Sequence, residues 1–472
     1  MKKLLLTVFI LFLFINSNAQ DKTQKIDELV SKFAENGVFN GSVLVAENGN
    51  ILFEKAYGYA DREQKIPNTP ETKFRIASVT KQFTAMLIMQ LVEQGNIKLD
   101  AKLSDYLTYY RKDNGDKITI HNLLTHTSGV PNYTNNDFMN NHLSKAITPK
   151  DLILNYGSGE LDFEPGSKYN YSNTAYVMLG AIIEEVTGKK YETVLQEQIL
   201  TPLEMTNSGY EHNEIKMSNQ AIGYDNNPGE VVVSKFIDMS IPFSAGAMYS
   251  TVEDLYKWDR ALYTDKLVSA ESKQKIFTPF LNNYGYGWNI IKAKTMDAEK
   301  TIYTHSGGIN GFSTNIMRVE SDNLVIIVLS NYANGQASKI SNEISKIMYN
   351  IPYKLPAKPI TNFLIPSGSK SLKDAVAEAK ELAKNKDEYS VNEGDINNLG
   401  YQLMQNGKLD DAIEIFKFNV EMFPNSANVY DSLGEAYMTK GDKENALINY
   451  KKSVELDPNN VNGKKMIEKL NN

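Results

Sequence analysis

"FRIASVTKQF", residues Phe74 to Phe83, places a serine and a lysine three positions apart inside a largely apolar run. Apolar residues recur at Ile76, Val79, Phe83, Met86, Leu87 and Leu91, the three-and-four spacing of a helix, and Gly95 supplies a stop. The predicted helix, Ser78 to Gly95, puts Ser78 and Lys81 on one face. Burial is what makes such a pair useful: a desolvated lysine loses its preference for the charged form and can accept a proton near neutral pH. The helix N-terminus adds partial positive charge and free backbone N–H groups, which favour an oxyanion at Ser78. The S-x-x-K spacing recurs at Ser272–Lys275 and at Ser367–Lys370. Ser272 lies in the polar "SAESKQKIF" and Ser367 in a Pro-, Gly- and Ser-containing stretch, so Ser78 alone opens an apolar helix.

The rest of the chain narrows the chemistry. Its 472 residues are 42% hydrophobic and 10% aromatic, an ordinary globular composition with room for several domains. The net charge of −7 comes with no basic cluster, which argues against a nucleic-acid partner and leaves a small polar or peptide-like substrate open. There is no cysteine, so a nucleophile must be a hydroxyl, an amine or a carboxylate. Residues 1–19 carry Lys2 and Lys3, an apolar stretch from Leu4 to Ile15 and a small, polar ending, the pattern of a secretory signal peptide cut near Ala19. The apolar core is shorter than the roughly 20 residues a membrane span needs, so the expectation is a periplasmic or secreted protein with no stable span after cleavage.

Strands are predicted on either side of Asn48-Gly49-Asn50, within Gly41 to Ala60, and again at Tyr284–Ile291, Thr301–Gly308, Phe312–Val319 and Asn323–Asn331. Helix and loop fill the middle, which suggests an α+β domain over residues 24–350 whose sheet is built from both ends. Pro352, Pro356, Pro359 and Pro366 mark residues 351–370 as a linker. Residues 371–472 form an all-α repeat module: Gly400 and Gly434, Gly407 and Gly441, Ala412 and Ala446, and Pro424 and Pro458 are each 34 apart. Period and residue types resemble the tetratricopeptide repeat, with Leu372–Lys384 and Val461–Leu470 as capping helices and a protein partner possible.

Familiar catalytic signatures are missing: no G-x-S-x-G, no G-x-x-x-x-G-K-[ST], no H-E-x-x-H. His121 and His126, five apart in "HNLLTHTSG", suit a structural or capping role better than a metal site, and no metal or cofactor is expected. Two further stretches matter. Tyr171-Ser172-Asn173 follows the Pro165-Gly166 turn, and His305-Ser306-Gly307 ends a predicted strand. With Ser78 and Lys81 they form, in order, S-x-x-K, Y-x-N and [KH]-[ST]-G. Here the chain resembles the serine beta-lactamase and penicillin-recognising peptidase superfamily, in its class C-like branch. "NLLTHTSGVP" (Asn122–Pro131) and "SAGAMYSTVEDLYKW" (Ser244–Trp258) fit the same branch, and the likeness runs from about Gly41 to Tyr349.

The resemblance implies a mainly antiparallel five-stranded sheet beside a helical subdomain, with the site between them. It implies that Ser78 attacks a carbonyl to form an acyl-enzyme while Lys81 and Tyr171 move the proton. Asn173 would orient lysine and substrate, the N–H groups of Ser78 and Gly308 would form the oxyanion hole, and His305, Ser306, Gly307 and Gly308 would line the substrate. His305 departs from the lysine of class C beta-lactamases, where a fixed charge helps hold a substrate carboxylate. It is similar to the histidine of D-aminopeptidase, carboxypeptidase and esterase-like relatives. The expected function is an exported serine hydrolase of amides or esters, D-amino-acid peptidase- or esterase-like. The alternatives are a beta-lactamase proper and a catalytically silent binding protein of the same fold.

Overall fold

The computed structural model describes residues 20–135, 138–227, 230–295, 298–366 and 370–471. The expected signal segment 1–19 and Ser367 lie outside them. The chain divides into two compact units, Met1–Asp225 with Val233–Leu355, and Asn226–Val232 with Pro356–Asn472. Among the described residues no helix is long and apolar enough to cross a membrane.

The first unit is organised by one antiparallel sheet. Helix α1 (residues 20–35) leads into β1 (Gly41–Glu47) and β2 (Asn50–Tyr57), joined by Asn48 and Gly49 at φ 54° and 77°. Both turn residues take the positive φ that a two-residue hairpin needs, which is why Asn-Gly stands there. The late strands are β3 (Asn289–Lys294), β4 (Glu299–Ile309), β5 (Phe312–Val319) and β6 (Leu324–Ser330), and the sheet order is β3-β4-β5-β6-β1-β2. Chain ends meet in the middle: Gly41 pairs with Ser330 and Glu47 with Leu324. The sheet has six strands, not the five the resemblance implied. At one edge β3 pairs with the eleven-residue β4 from Asn289↔Thr304 to Lys294↔Glu299. Tyr284, expected in a strand, lies in the preceding loop.

Both faces of the central strands are covered, so β1 and β6 are continuous apolar runs rather than alternating ones. Val43, Val45, Ile326 and Val328 pack on Ile26, Val30 and Phe33 of α1 and on Ile340 and Ile344 of α5 (Ala337–Met348). Leu44, Ala46, Val325 and Ile327 face the helical subdomain. There α2 (Thr80–Glu93), α3 (Asn173–Thr187) and α4 (Val252–Ala261) meet, and Phe83 stacks on Trp258 with ring centroids 4.2 Å apart. Helix α2 is buried on every side from Thr80 to Leu91, as expected of a helix between a sheet and other helices.

The second unit stacks α6 (Leu372–Leu382), α7 (Glu393–Gln405), α8 (Leu409–Met422), α9 (Ala427–Lys440), α10 (Lys443–Leu456) and α11 (Val461–Asn471). Part of the stretch expected to be a linker is packed into it. Lys358–Pro359 pairs with Tyr389–Ser390, and Ile360 and Leu364 are buried with Val376 and Ile396. Proline stops a helix but is tolerated in a short edge strand such as Lys358–Pro359.

Gly400 and Gly434 make the close approach within each repeat, but unequally. A Cβ at Gly400 would lie 2.5 Å from the Phe416 ring, against 3.2 Å from Tyr450 at Gly434. Alanine gains about 0.8–1 kcal/mol of helix propensity over glycine, while overpacking costs about 1–3 kcal/mol. Gly400→Ala is therefore expected to destabilise this unit by about 1–2 kcal/mol and Gly434→Ala to be near neutral, as read from denaturant unfolding followed by circular dichroism.

Candidate active site

Ser78 sits in a 3₁₀ turn, Ala77–Val79, that runs directly into α2. Ala77 holds φ 48°, a left-handed conformation that costs a non-glycine residue about 1–3 kcal/mol. Its neighbours impose it. Ile76 donates its N–H to Met248 O at 2.9 Å, and its carbonyl accepts from the Val79 N–H at 3.1 Å and the Thr314 hydroxyl at 3.0 Å. Strand β5 thus pins the residue two before Ser78, and β4 closes against the same turn. A Cβ at Gly307 would lie 2.3 Å from Ile76 O and 2.4 Å from Thr314 Oγ1.

One helical turn on, Lys81 is fully buried. Its Nζ lies 3.0 Å from Ser78 Oγ, 2.8 Å from Asn173 Oδ1 and 2.7 Å from the carbonyl of Ala245. The rings of Tyr171 and Tyr176 stand 5.0 Å and 5.6 Å from the nitrogen. Among the described residues it pairs with no carboxylate, and burial holds its ammonium well below the ordinary lysine range. Tyr171 arrives from the segment before α3 and Asn173 is the first residue of that helix, which Ser172 caps by accepting the Ala175 N–H. Burial raises the Tyr171 hydroxyl above its ordinary range, and the Ser78 side chain offsets part of the effect.

The four candidates on β4 alternate as a strand requires. His305 and Gly307 are buried, while Ser306 and Gly308 are exposed. A Cβ at Gly308 would meet nothing within 4 Å. The His305 ring is engaged at both nitrogens: Nδ1 is 2.7 Å from its neighbour's carbonyl, Ser306 O, and Nε2 is 2.9 Å from the Tyr284 hydroxyl. A carbonyl can only accept, so Nδ1 carries the hydrogen and the Tyr284 O–H donates to Nε2. Burial, with Lys81 nearby, lowers the imidazole to about 3, which makes it neutral at any ordinary pH.

The structure therefore brings Ser78, Lys81, Tyr171, Asn173 and the His305–Gly308 strand to one place. The Ser272–Lys275 pair does not join it. Ser272 donates to Glu93 at 2.5 Å, and Lys275 pairs with Glu271. Sequence reading missed the Ala245 carbonyl, Tyr284 and His126. His126, expected in a structural or capping role, lies beyond the helix Ile120–Leu124 and does not cap it; its role is structural, with its ring 4.2 Å from that of Tyr171. The phrases that carry two of them, "THTSG" and "SAGAMYS", were legible as phrases and not as contacts.

Comparison with known proteins identifies the family and the fold. The sequence model of the Beta-lactamase family matches residues 26–345, and that of the tetratricopeptide repeat matches residues 427–460. PbpX of Bacillus subtilis (strain 168), named provisionally as a penicillin-binding protein, is 32% identical over 336 residues, 70% of this chain and 81% of PbpX. The octameric penicillin-binding protein homologue from Pyrococcus abyssi superposes with a TM-score of 0.62 at 29% identity, over 70% of this chain and 77% of that one. A D-stereospecific amidohydrolase from Streptomyces sp. gives a TM-score of 0.56 at 25% identity, over 68% and 96% of the two chains. With a serine and a buried lysine in contact at the heart of that matched region, the chain belongs to the beta-lactamase family, as a serine hydrolase of the fold shared with penicillin-binding proteins, followed by tetratricopeptide repeats.

Proposed function

We propose that the protein is an exported hydrolase that cleaves an amide or ester of a small or peptide-like substrate through an acyl-Ser78 intermediate. In this reading it is D-amino-acid peptidase- or esterase-like, not a beta-lactamase proper. The observation that carries the reading is the set of partners around Lys81. Asn173 Oδ1 and Ala245 O only accept, so a neutral amine spends its two N–H groups on them and turns its lone pair to Ser78 Oγ. That is the arrangement of a general base on its nucleophile.

In this reading Ser78 Oγ bonds to the substrate carbonyl carbon as its proton passes to Lys81. The carbonyl oxygen becomes an oxyanion held by the N–H groups of Ser78 and Gly308. The proton then moves, with Tyr171, to the departing nitrogen or oxygen, that bond breaks, and the acyl group stays on Ser78 until water removes it by the reverse transfers. The Lys81 cation formed on attack has the oxyanion as its counter-charge, in a site where such pairs act strongly.

His305 supports the substrate class. A neutral imidazole with both nitrogens engaged is no fixed cation for a substrate carboxylate. The likeness to the D-stereospecific amidohydrolase points the same way. The repeats are read as a docking module for a protein partner, since their family suggests interaction.

Rates on a nitrophenyl ester, a D-amino-acid amide, a D-alanyl-D-alanine peptide and a chromogenic cephalosporin, measured side by side, test the proposal. The ester and amide are expected to turn over and the cephalosporin to lag. Failure to form any fluorophosphonate adduct that depends on Ser78 would sink it.

The pH dependence follows from Lys81. The unfolded chain keeps this lysine protonated up to its ordinary value of 10.5, while the folded protein releases the proton well below it. The unfolded state binds more protons in that window, so stability rises with pH across it. Melting temperatures of wild type and Lys81→Met, compared from pH 7 to pH 10, are expected to shift in the wild type's favour as pH rises. The acid limb of kcat/KM reports Lys81, and His305, lowered to about 3, adds no inflection between pH 5 and 8.

Backbone fit gives a third expectation. Gly307→Ala pushes β4 off the Ser78 turn and is expected to lower kcat about 10²-fold. Gly308→Ala, with open space before it, leaves the melting temperature unchanged.

A further inference from the structure

The segment His126-Thr127-Ser128-Gly129 takes no part in the chemistry above, yet it is a template for the loop that delivers Tyr171. Gly129 O accepts the Asp162 N–H at 2.8 Å, and Thr127 O accepts the Gly166 N–H at 2.7 Å. His126 then makes two contacts of its own. Its carbonyl accepts the Asn170 N–H at 2.9 Å, and its ring Nδ1 accepts the Ser172 N–H at 3.2 Å. One residue thus holds the N–H groups on both sides of Tyr171. It does so from φ 57°, a conformation uncommon for residues other than glycine.

The ring is fully buried. Tyr171, Tyr284, Tyr176 and Tyr169 surround it with centroids at 4.2, 4.6, 5.0 and 6.0 Å. A backbone N–H can only donate, so Nδ1 is bare and Nε2 carries the hydrogen. Among the described residues that buried Nε2–H finds no partner. A buried donor left unmade costs about 1–3 kcal/mol, so the site tolerates a penalty to keep an acceptor at Nδ1. The titratable groups that face the ring are Lys81, His305 and the four tyrosines, none of them a carboxylate that would favour an imidazolium.

We infer that His126 is a positioning residue. As a neutral imidazole with its lone pair on Nδ1, it fixes the Tyr171-Ser172-Asn173 backbone and so sets the Tyr171 hydroxyl and the Asn173 amide against Ser78 and Lys81. A second proton on the ring would point an N–H at the Ser172 N–H and break the clamp. The inference rests on the roles proposed above for those residues.

Two variants test it in the full-length protein. Asn places Oδ1 where Nδ1 stands, accepts from the Ser172 N–H, tolerates positive φ and does not titrate. Leu offers no acceptor. On a nitrophenyl ester, His126→Leu is expected to lower kcat about 10- to 100-fold with KM within about threefold, since small misplacements of reacting groups cost on that order. His126→Asn is expected to recover kcat to within about threefold, with the wild-type pH profile. Nitrogen-15 NMR of labelled histidine should show His126 protonated at Nε2 only, from pH 5 to pH 8. Full kcat in His126→Leu, a His126→Asn as impaired as His126→Leu, or a ring that gains a second proton in that range would each overturn the inference. If His126→Leu does not fold, His126→Asn and the NMR decide it. No turnover by the wild type would instead reject the hydrolase reading, which keeps the two failures apart.

Discussion

Everything at the centre of this protein depends on one charge kept out of water. Lys81 has no exposed surface and, among the described residues, no carboxylate partner, yet three polar atoms lie within 3.0 Å of its nitrogen. A lysine so placed is poorly solvated as a cation and well satisfied as an amine. The fold carries that cost by surrounding the nitrogen from three directions: α2 and the turn leading into it bring Lys81 and Ser78, the start of α3 brings Asn173, and the Ala245 segment closes the third side.

The sheet supplies the rigidity. Its middle strands are buried on both faces, so β5 and the Ser78 turn that it pins cannot shift without opening a core. Two left-handed residues, Ala77 and His126, lie next to catalytic groups, the first held through the hydrogen bonds of Ile76 and the second through its own carbonyl and ring. Strain held this way is a means of pre-organisation.

His305 shows how context decides a titratable residue. By type it is a switch near neutral pH. Between the Ser306 carbonyl and the Tyr284 hydroxyl it is a neutral spacer that ties β4 to the loop ahead of β3. His126, its neighbour in the same aromatic box, is neutral for the matching reason, with a backbone N–H in place of the carbonyl and the opposite ring nitrogen bare.

Much was legible in the amino acids alone: the S-x-x-K pair, because its helix is apolar; the Asn-Gly hairpin, because few residues accept positive φ; the 34-residue repeat, because each unit buries a small residue against a ring. Those signals are local, and chemistry at short range determines them. Which S-x-x-K meets a tyrosine, how many strands the sheet has, and whether a histidine is charged are set by groups 90 to 240 positions away, such as Asn173 against Lys81 and Thr314 against Ile76. Sequence determined which residues could act; burial and long-range hydrogen bonds, which exist only once the chain has folded, decided which of them do and in what protonation state.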